Sequence, residues 1–304
     1  MVDETVQSPR RFGLIGRGRI GGAVIDAWRS GRIPGWQLCA VLARGSRSVA
    51  TVADARDGGI VAGGGDTGAP GGDPSAPALA PEASNAGIPL VDDLDALLRS
   101  GCELVVEAAG AQAFAAYACR VLAVCDLWAV SPTPLADAAV QASIEAATQR
   151  SGRRLRILSG AIAGLDGVGM ICVDDDAQLQ LTIDLPPGTD VPGVGSHADG
   201  SPGHGPHRVV FSGTVREAAL RFPDAVNVAV AVALAGPGLD RSRIEVLRQQ
   251  PHGRHRLALR AISRYGSVEV AVHPRVAPGI HPVAASIVAA LRETRRVVGT
   301  GAWR

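Results

Sequence analysis

The chain has 304 residues, 46% of them hydrophobic but only 3% aromatic, and a formal net charge of +1. That length suits one large or two ordinary domains with an aliphatic core, and the near-neutral balance offers no basic surface for nucleic acid or an anionic membrane. All 30 basic residues are Arg, which excludes a Lys Schiff base or a Lys general base.

The five Cys (Cys39, Cys102, Cys119, Cys125, Cys172) are scattered without a C-x-x-C and read as reduced core thiols. The N-terminus carries Asp3, Glu4, Arg10 and Arg11 rather than an apolar leader, and no segment reaches membrane-spanning length without a charge or Gly break. A cytoplasmic protein is expected.

Phe12 to Ile15 reads as the first strand, and Ile20, Ala23, Val24 and Ala27 mark a helix by their spacing. Between them lie Gly16, Gly18 and Gly21 in G-x-G-x-x-G order. Gly16 permits the tight turn, Gly18 leaves the backbone bare for a pyrophosphate, and Gly21 lets helix and strand pack closely. The anion then rests on free N–H groups at a positive helix end. Gly16, Gly18, Arg19, Ile20 and Gly21 are therefore the first candidate cofactor-binding residues.

Trp36 to Leu42 is an apolar run suited to a buried parallel strand. Its end, Leu42-Ala43-Arg44-Gly45-Ser46-Arg47, lacks the carboxylate that binds the ribose 2′-OH of NAD. Arg44, Ser46 and Arg47 suit a 2′-phosphate instead, so NADP(H) is the expected cofactor, with NAD(H) as the other possibility. A helix is expected over Ser46–Ala55. Residues 57–87, rich in Gly, Ala and Pro, read as a flexible insertion before a strand at Ile88–Val91.

A short helix over Asp92–Leu98 is followed by Leu104-Val105-Val106-Glu107-Ala108-Ala109-Gly110, a strand ending in small residues. Ala108 and Ala109 leave room for a cofactor in the crevice of the sheet. A helix from Ala113, a strand within Val121–Val130, a helix capped by Thr133 and a strand over Arg154–Leu158 continue the alternation. This specifies an α/β fold, a doubly wound parallel sheet. Ser159, Gly160 and Ala161 then form a loop low enough in bulk to approach a flat ring.

Beyond it the pattern changes. Leu179, Leu181, Ile183 and Leu185 alternate with polar residues, the mark of a strand with one buried face. Pro186 to Pro206 is a loop, and Thr214-Val215-Arg216-Glu217 is a capping box. An apolar helix (Asn227–Ala235), three strands and a final helix from Pro282 follow. This half reads as an α+β domain with a mixed or antiparallel sheet, a plausible dimer surface. The expected boundaries are 1–132 for the dinucleotide-binding domain, completed by the helix at 282–304, and 133–281 for a substrate and dimerisation domain.

Ser159-Gly160-Ala161-Ile162-Ala163-Gly164-Leu165-Asp166 resembles the most distinctive motif of the L-aspartate dehydrogenase family. The Gly16–Gly21 fingerprint, Val105–Ala109, Phe211–Ala218, Phe222–Ala229 and the helix opened by His281-Pro282 fall in that family's order. The resemblance implies a Rossmann domain, a second domain with a mixed sheet, a homodimer, and reversible oxidation of L-aspartate to iminoaspartate, which hydrolyses to oxaloacetate and ammonia. It also implies a catalytic His just before a strand, here His255 in Pro251-His252-Gly253-Arg254-His255-Arg256-Leu257. Read from the residues alone, His255 is either a proton-handling group or a surface His among Arg, and His252 competes with it. Asn227 joins the cofactor-binding set; on its own it either contacts a ligand or caps the helix after Pro223.

Departures from that family's pattern remove groups that could bind or orient a dicarboxylate. Ala225 replaces the first of a paired Asn. Gly253 replaces the Asn two before the His, and Asp184-Leu185 stand where a basic residue is expected. His281-Pro282-Val283-Ala284-Ala285 replace Asn-Pro-Lys-Thr-Ser. A pocket built on buried polar partners changes its selectivity when they change.

No Ser-His-Asp order or G-x-S-x-G supports a hydrolase. His204 and His207 read as chance spacing, and no metal is expected. The expected function is an NAD(P)-dependent amino acid dehydrogenase acting on a primary amine. The alternatives are an imine or keto acid reductase of specialised metabolism and a non-catalytic NADP(H)-binding sensor. Expected partners are a small amino or keto acid and a second copy of the chain.

Overall fold

The computed structural model describes residues 8–43, 87–185, 207–249, 255–277, 279 and 281–294. Arg44, Ser46 and Arg47, the helix expected over Ser46–Ala55, nearly all of the insertion at 57–87 and the loop at 186–206 lie outside them.

The first half alternates strand and helix: β1 (Arg10–Ile15), α1 (Arg19–Arg29), β2 (Trp36–Leu42), β3 (Leu90–Val91), α2 (Leu94–Arg99), β4 (Leu104–Glu107), α3 (Ala111–Leu122), β5 (Asp126–Ala129), α4 (Ala138–Ser151) and β6 (Leu155–Ile157). The strands form one parallel sheet in the order β3-β2-β1-β4-β5-β6. The chain leaves β1 in one direction and returns beside it as β4, so the carboxyl ends of β1 and β4 flank the point where the order reverses. Ligands of doubly wound sheets bind in that crevice.

The sheet is buried on both faces, which explains the near-continuous apolar runs of β2 and β4. One face is covered by α1 and by the last helix of the chain, α8 (Pro282–Glu293), through Val24, Ile25, Ala284, Ile287 and Leu291. The other is covered by α2, α3 and α4 through Leu97, Phe114, Val121 and Ile144. The five cysteines are free thiols, with Cys102 and Cys125 inside this second layer.

The sheet corrects the expected boundary at 132. β6 pairs in parallel with β5, and α4 packs against α3, so the first unit continues to residue 157. Thr133 does not cap a long helix either. It opens a 3-10 turn, Thr133–Ala136, and α4 starts afterwards with Asp137 as its cap, accepting from the Ala139 and Val140 N–H groups at 2.7 and 3.2 Å. A carboxylate outcompetes a hydroxyl that is already engaged elsewhere.

The second half contains α5 (Leu165–Ile171), β7 (Gln178–Leu185), β8 (His207–Thr214), α6 (Val215–Arg221), α7 (Asn227–Ala235), β9 (Arg243–Gln249), β10 (Arg256–Ser263) and β11 (Gly266–Val272). Its sheet runs β11-β10-β7-β9-β8 and is mixed: β7 and β9 are parallel, the other pairs antiparallel. Leu179, Leu181 and Ile183 face a core shared with α5, α6 and α7. The capping box is formed in full: Glu217 N–H donates to Thr214 Oγ1 at 3.1 Å, and Thr214 N–H to Glu217 Oε2 at 2.7 Å.

Among the described residues no helix is long and apolar enough to cross a membrane.

Candidate functional site

The glycine fingerprint builds a cradle at the carboxyl end of β1. Gly16 has φ +100°, and its N–H donates to Leu42 O at 2.9 Å, tying the turn to the neighbouring strand. A Cβ at Gly16 would stand 2.7 Å from the Ala108 carbonyl oxygen, and one at Gly21 would overlap the Gly16 carbonyl. At Gly18 nothing lies within 4 Å of an added Cβ. The open space is on the ligand side of the turn, while the other two glycines are filled by backbone. Gly18 caps α1 with no side-chain hydrogen bond, and no acidic residue sits in the first turn. Helix N–H groups and the positive dipole end are thus left to a ligand.

The turn after β4 faces this cradle. Glu107 is only 1% exposed, and its Oε1 accepts from the N–H of Ala109 at 2.7 Å and of Gly110 at 2.9 Å. The carboxylate thereby fixes the Ala108–Gly110 turn against Gly16. Its Oε2 is buried against Ser131. Burial pushes the Glu107 carboxyl above its ordinary range, against the pull of the Ala109 and Gly110 N–H groups.

Two further turns join the Ala108–Gly110 turn around the segment that leads into α7. Thr133 Oγ1 donates to Pro223 O at 2.5 Å, and the Thr133 N–H donates to Asn227 Oδ1 at 3.3 Å. Asn227 therefore joins the two halves of the chain through its carbonyl oxygen. A Cβ at Gly160, where φ is +66°, would stand 3.4 Å from Val228 Cγ2, and one at Gly110 would stand 3.9 Å from Asp224 Oδ1. The small-residue loop Ser159–Ala161 thus passes directly over the start of α7.

His255 sits just before β10, at the end of the second sheet where Arg256 pairs with Asp184 of β7. The ring is half-buried. Desolvation holds the imidazole below its ordinary value, while the negative charge of Asp184, itself 2% exposed, pulls the other way. A neutral imidazole beside a carboxylate is equipped to accept a proton and hold it.

The structure thus gathers Gly16, Gly21, Ala108 and Ala109 in close approach, places Gly18, Arg19 and Ile20 at the α1 entrance, and sets Ser159, Gly160 and Ala161 beside the Asn227 helix. His255 lies apart from these, at the end of the other sheet beside Asp184. Sequence reasoning gave no site role to Glu107, whose folded-back carboxylate no local pattern announces. His281, which the sequence reading gave only as a departure in the substrate pocket, sits near the Arg19 charge. Among the described residues no group of three or more His, Cys, Asp or Glu is arranged to hold a metal ion.

A dinucleotide fits these residues. The Gly18 gap admits a diphosphate, and the close-packed Gly16 and Gly21 hold the cradle rigid.

Comparison with known proteins agrees. The family model described as "Homoserine dehydrogenase, NAD binding domain" matches residues 16–158, and that described as "Aspartate dehydrogenase, C-terminal" matches residues 201–294. The chain is 40% identical over 187 residues to L-aspartate dehydrogenase 2 of Bordetella pertussis, covering 60% of this chain and 69% of that protein. It is 32% identical over 208 residues to L-aspartate dehydrogenase of Ruegeria pomeroyi, covering 63% and 71%. The crystal structure of aspartate dehydrogenase from Thermotoga maritima superposes with a TM-score of 0.65 at 20% identity, over 96% of this chain and 99% of that one. With the motifs, the sheet order and these relatives together, the chain belongs to the L-aspartate dehydrogenase family.

Proposed function

We propose that the protein is an NAD(P)-dependent amino acid dehydrogenase that oxidises the primary amine of L-aspartate or a close relative to the imine, or runs the reverse. The observation that carries this reading is the cradle of Gly16, Gly18 and Gly21 closed by the Ala108–Gly110 turn, in a chain of this family. A dinucleotide bound there supplies the hydride acceptor or donor. As the Cα–H bond breaks, the nitrogen lone pair forms C=N and the amine sheds a proton. His255, neutral through burial, takes that proton, and Asp184 stabilises the imidazolium that results. Water then converts the imine to a 2-keto acid and ammonia. The Ser159–Ala161 loop, which approaches the start of α7, is the candidate for positioning the substrate.

NADP(H) is the favoured cofactor, on the Arg44-Gly45-Ser46-Arg47 segment that follows β2. Arg44→Asp weakens NADPH binding selectively if this is right; equal loss of NADH and NADPH rejects it. The working form is proposed to be a homodimer.

One observation favours a second reading, a dehydrogenase for a different keto or imino acid. Where the resemblance implies a Lys and two hydroxyls, this chain has Val283, Ala284 and Ala285, the first two packed into the core that α8 shares with α1 and the third exposed. Groups that would hold a second carboxylate are absent there.

The test is NADPH and NADH consumption with oxaloacetate plus ammonia and with a panel of 2-keto acids and amines. Turnover with oxaloacetate and ammonia supports the first reading, and turnover only with another keto acid the second. Binding of NADPH with no turnover on any substrate turns the reading toward a sensor. His255→Ala is expected to lose turnover about a hundredfold or more while keeping NADPH affinity. Unchanged turnover removes His255 from the mechanism.

A further inference from the structure

The 3-10 turn Thr133–Ala136 joins β5 to α4 and packs on both halves of the chain. Leu135 is buried in the layer of the first sheet that holds α2, α3 and α4. The next residue, Ala136, is 2% exposed in the core of the second half, with Val215, Ala219 and Phe222. The turn follows the carboxyl end of β5, the side of the sheet on which the cofactor crevice opens.

Both ends of this turn are fastened to the second half. At the first end Thr133, 2% exposed, donates through its hydroxyl to Pro223 O at 2.5 Å and through its N–H to Asn227 Oδ1 at 3.3 Å. At the last end one terminal nitrogen of Arg216 donates to Ala136 O. The Arg216 Nε and its other terminal nitrogen donate to Asp240 Oδ1 and Oδ2 at 2.6 and 2.9 Å. A planar fork held by a carboxylate on one side has its remaining nitrogen aimed, here at one carbonyl. The base of the fork is fixed as well. Arg216 lies in the first turn of α6, inside the Thr214–Glu217 capping box, and its N–H donates to Leu239 O at 3.1 Å.

We propose that Thr133 and Arg216 are positioning residues: they clamp the 3-10 turn between the halves and so set the second half's substrate and proton-handling groups at a fixed distance from the dinucleotide. The effect on turnover rests on the dehydrogenase reading above; the clamp itself does not. Both contacts cross from one half to the other, so their loss leaves each core packed while one half shifts against the other. Misplacement by about 1 Å lowers a rate by up to about a hundredfold. The glycine cradle lies wholly in the first half, so dinucleotide affinity is largely spared.

The experiment compares the wild-type chain with Thr133→Val, Thr133→Ser, Arg216→Lys and a stability control, Ile171→Val. Ile171 is 1% exposed in the second core beside Gly266, at the hairpin end of the second sheet rather than the His255 end. The readouts are NADPH affinity, kcat and KM, the thermal midpoint, and amide exchange over residues 224–228. Thr133→Val is expected to lower kcat about tenfold or more, to leave NADPH affinity within about threefold, and to speed exchange over 224–228. Thr133→Ser restores the hydroxyl and should recover most of the loss. Arg216→Lys keeps the charge but not the fork, and should lower kcat to a similar extent. Ile171→Val should lower the thermal midpoint with kcat unchanged, which separates positioning from stability. A kcat for Thr133→Val within about threefold of wild type, a loss that Thr133→Ser does not recover, or an equal loss of NADPH affinity overturns the proposal. If the wild-type chain turns over no substrate, the dehydrogenase reading fails by itself. Exchange over 224–228 then decides the clamp: faster exchange in Thr133→Val and Arg216→Lys upholds it, and unchanged exchange overturns it.

Discussion

Gly16 and Ala108 approach so closely that a Cβ on the glycine would meet the Ala108 carbonyl oxygen at 2.7 Å, while Gly18, two residues on, has nothing within 4 Å. The two glycines of one motif are therefore needed for different reasons. Gly16→Ala is expected to destabilise the fold by about 1–3 kcal/mol, because φ is +100° and the obstructing atom is backbone. Gly18→Ala should leave the thermal midpoint unchanged and weaken NADPH binding by filling the approach to α1. Thermal unfolding and NADPH titration of both variants separate the effects; equal stability losses would remove the distinction.

Glu107→Ala removes the acceptor of two backbone N–H bonds and is expected to cost about 1–3 kcal/mol. Glu107→Gln keeps an acceptor and isolates the charge. Because burial raises the folded-state pKa of Glu107, the folded protein binds its proton more readily than the unfolded chain does. Wild-type stability from this group therefore falls as pH rises above the ordinary carboxylate value of about 4.3. Relative to wild type, Glu107→Gln should be less stable near pH 4 and gain toward pH 7. Denaturant unfolding at the two pH values checks the sign.

His255 titrates below the ordinary histidine value of about 6.5. Amine oxidation needs its neutral form, so kcat/KM should fall on the acid side with a limb below that value. Asp184→Asn removes the charge that opposes the shift, and the limb should move lower still. A limb at or above 6.5 would assign proton transfer to another group.

The last helix belongs to the first sheet. Ile287 is 0% exposed in the layer it shares with Val24 and Ile25, and Leu291 O accepts from Trp36 Nε1. Ile287→Ala is expected to cost about 2–4 kcal/mol. A chain ending at residue 281 should lose the cooperative unfolding of the dinucleotide-binding unit rather than shed an appendage. Calorimetry of the truncated chain decides between the two.

Patterns with a short sequence range were legible without coordinates. Leu179, Leu181 and Ile183 announce a one-sided strand by alternation, Thr214 and Glu217 a helix start by spacing, and Gly16, Gly18 and Gly21 a phosphate turn. Thr133 shows where such reading stops. Thr-Pro looks like a helix start, but the Thr133 hydroxyl is drawn to the Pro223 carbonyl, ninety residues away in the chain, and Asp137 takes the cap. The mixed sheet shows the same limit: alternation gives each strand a face but not a partner, and only the fold sets β9 parallel to β7.

The sequence by itself determined the parallel α/β half, the glycine cradle, the one-sided second sheet and the family, because each is written in residues within about a turn or a strand of one another. Only the tertiary structure decided that β6 extends the first sheet beyond residue 132 and that Glu107 folds back to hold the turn against Gly16. Those outcomes depend on burial and on charges brought together across long stretches of chain, and neither quantity exists until the chain has folded.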